Sequence, residues 1–396
     1  MISVDDALAR IFALTNPLGT ETVSLAEADG RVLRAPAQAG RDQPPFAASS
    51  MDGYAVQGPA PAGSVLRVIG KAVAGRGFDG AVGPGEAVRI FTGAPVPKGA
   101  DRVVIQENVQ AAEDRATLLT DASGAPHIRP QAFDFQKGDS LSAPRRLRPV
   151  DVALLAAMNV PHVVVSRKPV VAIIATGDEL VMPGEAPGPD QIIASNGFAL
   201  AAMVRAEGAT PRVLPIARDK EASLRTVLHL ASGADMIVTI GGASVGDHDL
   251  VDKVTADMGA SRSFYKIAMR PGKPLMAGQL NGALLLSLPG NPVSSIVCGH
   301  LFMLPALRAM LGLGCWPAPT QSARLGCEVA ANGPRAHYMR AHLHPGEDGL
   351  EITPFANQDS AVLSLLAEAD ALLLRPPHSA AQPKGAEARY IPLHGA

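Results

Sequence analysis

The chain has 396 residues and a net charge of −2, with 47% hydrophobic and 18% charged residues. Such a length accommodates roughly two to four domains, and the composition supplies a packed core and excludes global disorder. The charge, with only 10 Phe, 4 Tyr and 1 Trp, excludes a general nucleic-acid binder built on basic surface and base-stacking rings.

The start, MISVDDALARIF, has acids where a signal peptide needs bases, so a cytoplasmic location is expected. Val4 to Leu14 reads as a short helix, followed by an extended segment to residue 43. QPPFAASSMDGYAV then opens a stretch rich in Gly, Pro and Val. Val65 to Val73, Ala87 to Phe91 and Arg102 to Glu107 read as strands between turns, giving a small β domain over 44–128. Within it Gly75-x-Gly77-x-x-Gly80 mimics a dinucleotide fingerprint. No helical pattern follows it, so it reads as a turn. Residues 149–160 are helical, with Pro at the start and Asn159 suited to a left-handed cap.

From Lys168 the pattern changes. Strands Pro169–Ala175, Pro211–Ile216, Met236–Ile240, Phe264–Met269 and Ala283–Leu288 alternate with helices Asn196–Glu207, Glu221–Ala231, Asp249–Met258 and Pro292–Leu311. That alternation predicts a parallel α/β sheet domain over 167–316. The last helix contains His300, Pro305 and Arg308, which suit a buried core helix rather than a membrane span. Short strands return over 317–396 and predict a second β domain. Cys298, Cys315 and Cys327 form no C-x-x-C pair, so neither a zinc site nor a disulfide framework is suggested.

Three strand ends carry the chemistry. ATGDEL ends the first α/β strand with Thr176, Asp178 and Glu179. GGASVGDHD ends another with Ser244, Asp247 and Asp249, and LPGNP ends a third with Pro289, Gly290, Asn291 and Pro292. Ligands bind at that edge of open parallel sheets, and a turn leading into a helix suits an anion. Asp and Glu there suit a hard cation. Asp219 suits either such a site or an N-cap of the helix beginning near Lys220. KIAMRPGKP groups Lys266, Arg270 and Lys273; the first two share a face if the strand is regular, and the cluster suits an oxyanion. Asp52-Gly53 and Thr92-Gly93 read as ordinary hairpin chemistry. His342 and His344 alternate on a strand with no third ligand visible, which favours a barrel surface over a metal site.

These motifs, with SSMDGYAV, TGAPVPKGAD, ARD at 217–219, HYMRAHL and NQDSAVLSLLAEADALL, stand in the order of one family. The chain resembles the molybdopterin molybdenumtransferase family, to which bacterial MoeA and the C-terminal domain of gephyrin belong. The resemblance implies a multidomain α/β plus β protein. Residues 1–43 with 129–166 would form an extended dimerisation domain, and 44–128 would be inserted into it. Residues 167–316 would be similar to molybdopterin adenylyltransferases, and 317–396 would close the chain as a β-barrel.

It also implies functional roles for Asp52, Thr92, Asp134, Glu179, Asp219, Asp249, Pro289 and Pro292. An oxyanion site for molybdate would use Ser244, Arg270, Lys273, Arg340 and Ser360. The family usually has Gly-Glu-Asp where this chain has Ala132-Phe133-Asp134, and Lys where Arg270 stands. The implied reaction inserts molybdate into adenylylated molybdopterin and releases AMP. Mg²⁺ would be held by Glu179, Asp249 or Asp219, because carboxylates alone repel phosphates by about 4 kcal/mol per pair at 4 Å and an effective dielectric of 20. The implied partners are a second copy in a homodimer, a molybdopterin adenylyltransferase and molybdoenzyme chaperones, with neither nucleic acid nor membrane. The competing readings are a molybdopterin adenylyltransferase and a non-catalytic pterin-binding dimeric scaffold.

Overall fold

The computed structural model describes residues 1–242, 250–347 and 349–393. Two compact units result, Met1–Glu21 with Ser166–Ala396, and Thr22–Val165.

In the first unit, a sheet is built from β1 (Val170–Ala175), β2 (Thr210–Val213), β3 (Met236–Ile240), β4 (Ser261–Tyr265), β5 (Met276–Leu280) and β6 (Ala283–Leu288), ordered β2-β1-β3-β6-β5-β4. The first four in that order run parallel, while β5 runs antiparallel to β6 and β4 antiparallel to β5. Every residue of β3 and β6 is buried, which is why both read as unbroken apolar runs. Helices α1 (Asn196–Ala206), α2 (Glu221–Leu230) and α3 (Leu250–Asp257) complete the crossovers. Truncating a fully buried side chain such as Leu288 to Ala would cost about 2–5 kcal/mol.

Two expectations are corrected here. The sheet is mixed rather than wholly parallel. Phe264–Met269 is not one strand: Lys266 turns the chain at φ +73°, and Met269–Arg270 pairs instead with Ala336–His337 of another sheet. Lys266 and Arg270 therefore do not share the face of a regular strand. The missed strand β5 did have a signal. Asn281-Gly282, at φ +50° and +84°, makes the tight turn into β6, and Asn-Gly between apolar runs marks a hairpin.

The helical run expected over 292–311 spans Pro292–Met310 but contains a π segment at Gly299–Met303. That widening precedes Pro305, which can neither donate a backbone N–H nor fit a tight preceding turn. A Cβ on Gly299 would lie 2.9 Å from Leu200 and Met203 of α1, so the glycine lets the two helices approach closely. The run is long and apolar enough to cross a membrane, but 78% of its apolar window is buried inside the protein, as in a core helix. The N-terminal helix Val4–Ala13, capped by Ser3, adds Ala7, Leu8 and Ile11 to the same core.

Strands Gln321–Leu325, Ala336–Gly346, Gly349–Pro354, Ala371–Arg375 and Glu387–Pro392 form a closed five-stranded barrel, with Ala336–Gly346 pairing both its neighbours to complete the ring. In the second unit a six-stranded sheet occupies 53–118, and a helix Pro149–Ala157 ends with Asn159 at φ +62°, the left-handed cap read from the sequence.

Candidate active-site cleft

The carboxyl ends of β1, β3 and β6 open on one cleft of about 1060 Å³. Thr176, Gly177 and Glu179 line it from the first strand end, Gly241 and Gly242 from the second, and Pro289, Gly290, Asn291 and Pro292 from the third. Asp219 lines it too. Ser244, Asp247 and Asp249 lie outside the described residues.

The loops approach one another closely because glycine allows it. Gly241 sits at φ +89°, and a Cβ there would stand 2.8 Å from Thr176 O. Gly177, at φ +142°, leaves room for the Glu179 carboxylate, which a Cβ would meet at 2.1 Å. Gly241 N donates to Leu288 O at 3.1 Å, and Thr176 N to Ile240 O at 2.9 Å, so each loop is tied to the neighbouring strand.

Asp219 does not cap the helix after it. The cap position is Lys220, which makes no side-chain capping bond. Instead Asp178 N donates to Asp219 Oδ2 at 3.3 Å and Asp219 N to Asp178 Oδ1 at 3.2 Å. This reciprocal clasp fixes two loops of the cleft and brings two negative charges together. Glu179 is exposed at the same edge.

The PGNP turn is held from both sides. Asn196 Nδ2 donates to Gly290 O at 2.6 Å, and Asn291 Nδ2 donates to Ser360 Oγ at 2.9 Å. Pro292 has no N–H, and Val293 N is taken by Ser360 O at 3.2 Å. Part of the donor set that a helix start offers an anion is therefore spent within the protein. Ser360 reaches the turn because Arg340 holds its loop. Arg340 is 1% exposed, and its guanidinium donates to Val362 O at 2.8 Å and Asn357 O at 3.1 Å. Arg340 thus stands behind Ser360 rather than in the cleft lining.

The basic segment is arranged by backbone pairing, with Lys266 N donating to Leu275 O and Ile267 N to Lys273 O, each at 3.0 Å. Pro274 lines the cleft next to the half-buried Lys273. Arg270 is exposed, 3.5 Å from Asn332 Oδ1, and the Lys266 ammonium lies 5.0 Å from the Tyr265 ring centre.

In the second unit, Thr92 N and Oγ1 donate to one oxygen of Asp52 at 2.7 and 2.8 Å. These bonds, the backbone one foremost, hold the Asp52 carboxyl below the usual range. Asp134 is exposed, and its N–H donates to Gln43 O at 2.9 Å. Its loop is organised by Asp42, which accepts from Gln131 Nε2 at 2.5 Å and Lys137 N at 2.8 Å.

His342 and His344 each face a separate carboxylate, Asp370 and Glu351, both at 3.3 Å. Among the described residues, no group of three or more His, Cys, Asp or Glu could hold a metal by itself. The sequence reading gave no role of their own to Asn196, Arg218 and Asp42. Their partners lie far along the chain, and only Asn196, at the start of a predicted helix, carried a local signal.

Known proteins share this architecture. Residues 2–159 match a family described as the MoeA N-terminal region (domain I and II), 172–309 a probable molybdopterin binding domain, and 322–393 the MoeA C-terminal region (domain IV). A molybdopterin molybdenumtransferase of Nostoc is 37% identical over 360 residues, covering 87% of this chain and 83% of the relative. One from Bacillus subtilis is 33% identical, covering 95% and 90%. The crystal structure of a molybdopterin biosynthesis MoeA protein from Pyrococcus horikoshii superposes with a TM-score of 0.83 at 29% identity, covering both chains completely.

Proposed function

This chain belongs to the molybdopterin molybdenumtransferase family, a family of transferases in molybdenum-cofactor biosynthesis, and we propose that it inserts molybdate into adenylylated molybdopterin with release of AMP. The observation that carries the reading is the convergence of Glu179, Asp219 and the PGNP turn on one cleft large enough for a nucleotide-linked pterin.

Breaking a pyrophosphate link asks a protein mainly to position the group and balance its charge. The cleft edge, with Glu179, Asp219 and Asp178, is acidic and would repel phosphates unaided. Two carboxylates facing a substrate phosphate match the way Mg²⁺ is held, by one or two carboxylates plus phosphate oxygens. Glu179 and Asp219 would hold it, and the ion would offset phosphate charge in the transition state. The residues' own parts are then distinct. The Asp178–Asp219 clasp sets the spacing of the carboxylates. Asn196 and Ser360 keep the PGNP turn in register with them. Lys273 and Arg270, next to the cleft in sequence, would hold the molybdate dianion by charge-assisted hydrogen bonds. Asp52, kept ionised by Thr92, supplies a second polar pair suited to orienting water or a proton.

The test supplies adenylylated molybdopterin and molybdate and measures AMP. AMP formed only when both are present supports the reading, and ATP-dependent formation of the adenylate would point to an adenylyltransferase instead. A homodimer goes with this reading and is measured by sedimentation; a cytoplasmic location also goes with it and is measured by cell fractionation.

A further inference from the structure

We propose that Arg218 is a positioning residue, whose guanidinium holds the loop carrying Glu179 in the shape that presents that carboxylate to the cleft. The proposal rests on the function proposed above for Glu179. Its basis is geometric. Arg218 Nη1 lies 2.9 Å from Leu180 O, 3.2 Å from Asp178 O and 3.4 Å from Gly177 O. One nitrogen with two N–H bonds satisfies at most two of these fully, so the Leu180 and Asp178 contacts dominate. The carbonyls on either side of Glu179 are thereby drawn toward Arg218.

The clamp is itself anchored. Arg218 N donates to Ser223 Oγ at 3.0 Å. Gly177 N donates to Ala217 O at 3.0 Å, and Ala217 N to Ala175 O at 2.9 Å, so the residue before Arg218 is tied to the end of β1. Next to it, Asp178 and Asp219 exchange hydrogen bonds. The planar fork of the guanidinium keeps a fixed direction that a Lys ammonium does not.

Arg218→Gln removes the charge and the fork, and Arg218→Lys removes the fork alone. In the AMP-release assay we expect Arg218→Gln to lower kcat about tenfold to a hundredfold, the cost of a misplaced reacting group, with KM for adenylylated molybdopterin little changed and the thermal midpoint close to wild type. Arg218→Lys should recover only part of that loss. Amide hydrogen exchange read on residues 177–182 should quicken in Arg218→Gln and nowhere else. Wild-type kcat in Arg218→Gln would overturn the proposal. So would a loss of activity that tracks the thermal midpoint and returns at lower temperature. If the wild type releases no AMP, the reaction assigned above fails instead. The exchange measurement still decides the clamp: unchanged protection of 177–182 in both variants sinks it.

Discussion

One carboxylate oxygen of Asp52 accepts both the N–H and the hydroxyl of Thr92, at 2.7 and 2.8 Å, across 40 residues of sequence. An aspartate in a bend and a threonine in a turn thus become a single unit, with the acid's charged form favoured. Thr92→Ala keeps the larger, backbone bond and loses the other. The Asp52 carboxyl should then rise part of the way toward its usual value, and if Asp52 acts as an anion, the acid limb of the pH–rate profile should move upward. Thr92→Ser should leave the limb in place. The measurement is AMP release from about pH 2.5 to 7, which spans the usual aspartate range and the region below it, and an unmoved limb in Thr92→Ala would separate this pair from the reaction.

Glu179 and Asp219 are exposed at the cleft edge. Glu179→Gln should abolish AMP release while changing stability by less than about 0.5 kcal/mol. Asp219→Asn is the sharper test, because the amide oxygen can still accept from Asp178 N. Loss of activity with an unchanged thermal midpoint means that charge is required, whereas full activity would leave Asp219 only as a clasp.

Arg340 is expected to act through Ser360. Arg340→Met keeps much of the buried volume but leaves the carbonyls of Val362 and Asn357 without their donor. It should cost about 1.5–3 kcal/mol in a denaturant titration. Ser360→Ala removes only the bond from Asn291 and should cost about 1 kcal/mol or less. Equal stability of Arg340→Met and wild type would contradict the buried bonding seen here.

Molybdate has no apolar surface, so its affinity must come from charge-assisted hydrogen bonds. Arg270→Ala and Lys273→Ala should each raise the molybdate concentration for half-maximal AMP release, by about tenfold to a hundredfold if one such bond of about 1.5–3 kcal/mol is lost. Arg270→Lys separates charge from fork geometry. An unchanged half-saturation point in both alanine variants would return this segment to a solvated basic loop.

His337 is buried, and burial first, then the charges of Arg270, Arg335, Arg340 and Arg375, pushes its pKa down to about 4 from an ordinary 6.5. The unfolded chain binds a proton between those values that the fold refuses. Stability from this site is therefore full above pH 6.5, falls as pH drops toward 4, and falls no further below that. The loss is about 3 kcal/mol, to order of magnitude. Thermal midpoints of His337→Gln should vary less with pH across that window than those of wild type; parallel curves would count against the assignment.

The strands and helices around the cleft were legible because burial on both faces leaves unbroken apolar runs, as in Met236–Ile240 and Ala283–Leu288. The strand-end loops carrying Glu179 and PGNP were legible for the same reason, since a parallel sheet puts its strand ends at one edge. Lys266 was misread because an apolar alternation through KIAM also fits a chain that turns at φ +73° and leaves one sheet for another. Periodicity cannot register a single left-handed residue that is not glycine.

By itself, then, the sequence determined the order of most elements, the strand-end motifs and the acids and bases within them, all of which depend on neighbours a few residues apart. Only the tertiary structure decided what each side chain is bonded to. Asp219 clasps Asp178 instead of capping its helix, Arg340 is buried behind Ser360, and Arg218 reaches across to the carbonyls of Gly177, Asp178 and Leu180. Those choices join residues roughly 20 to 40 positions apart. They are made by whichever partner the packed sheet brings within hydrogen-bonding distance, and local propensity does not encode that.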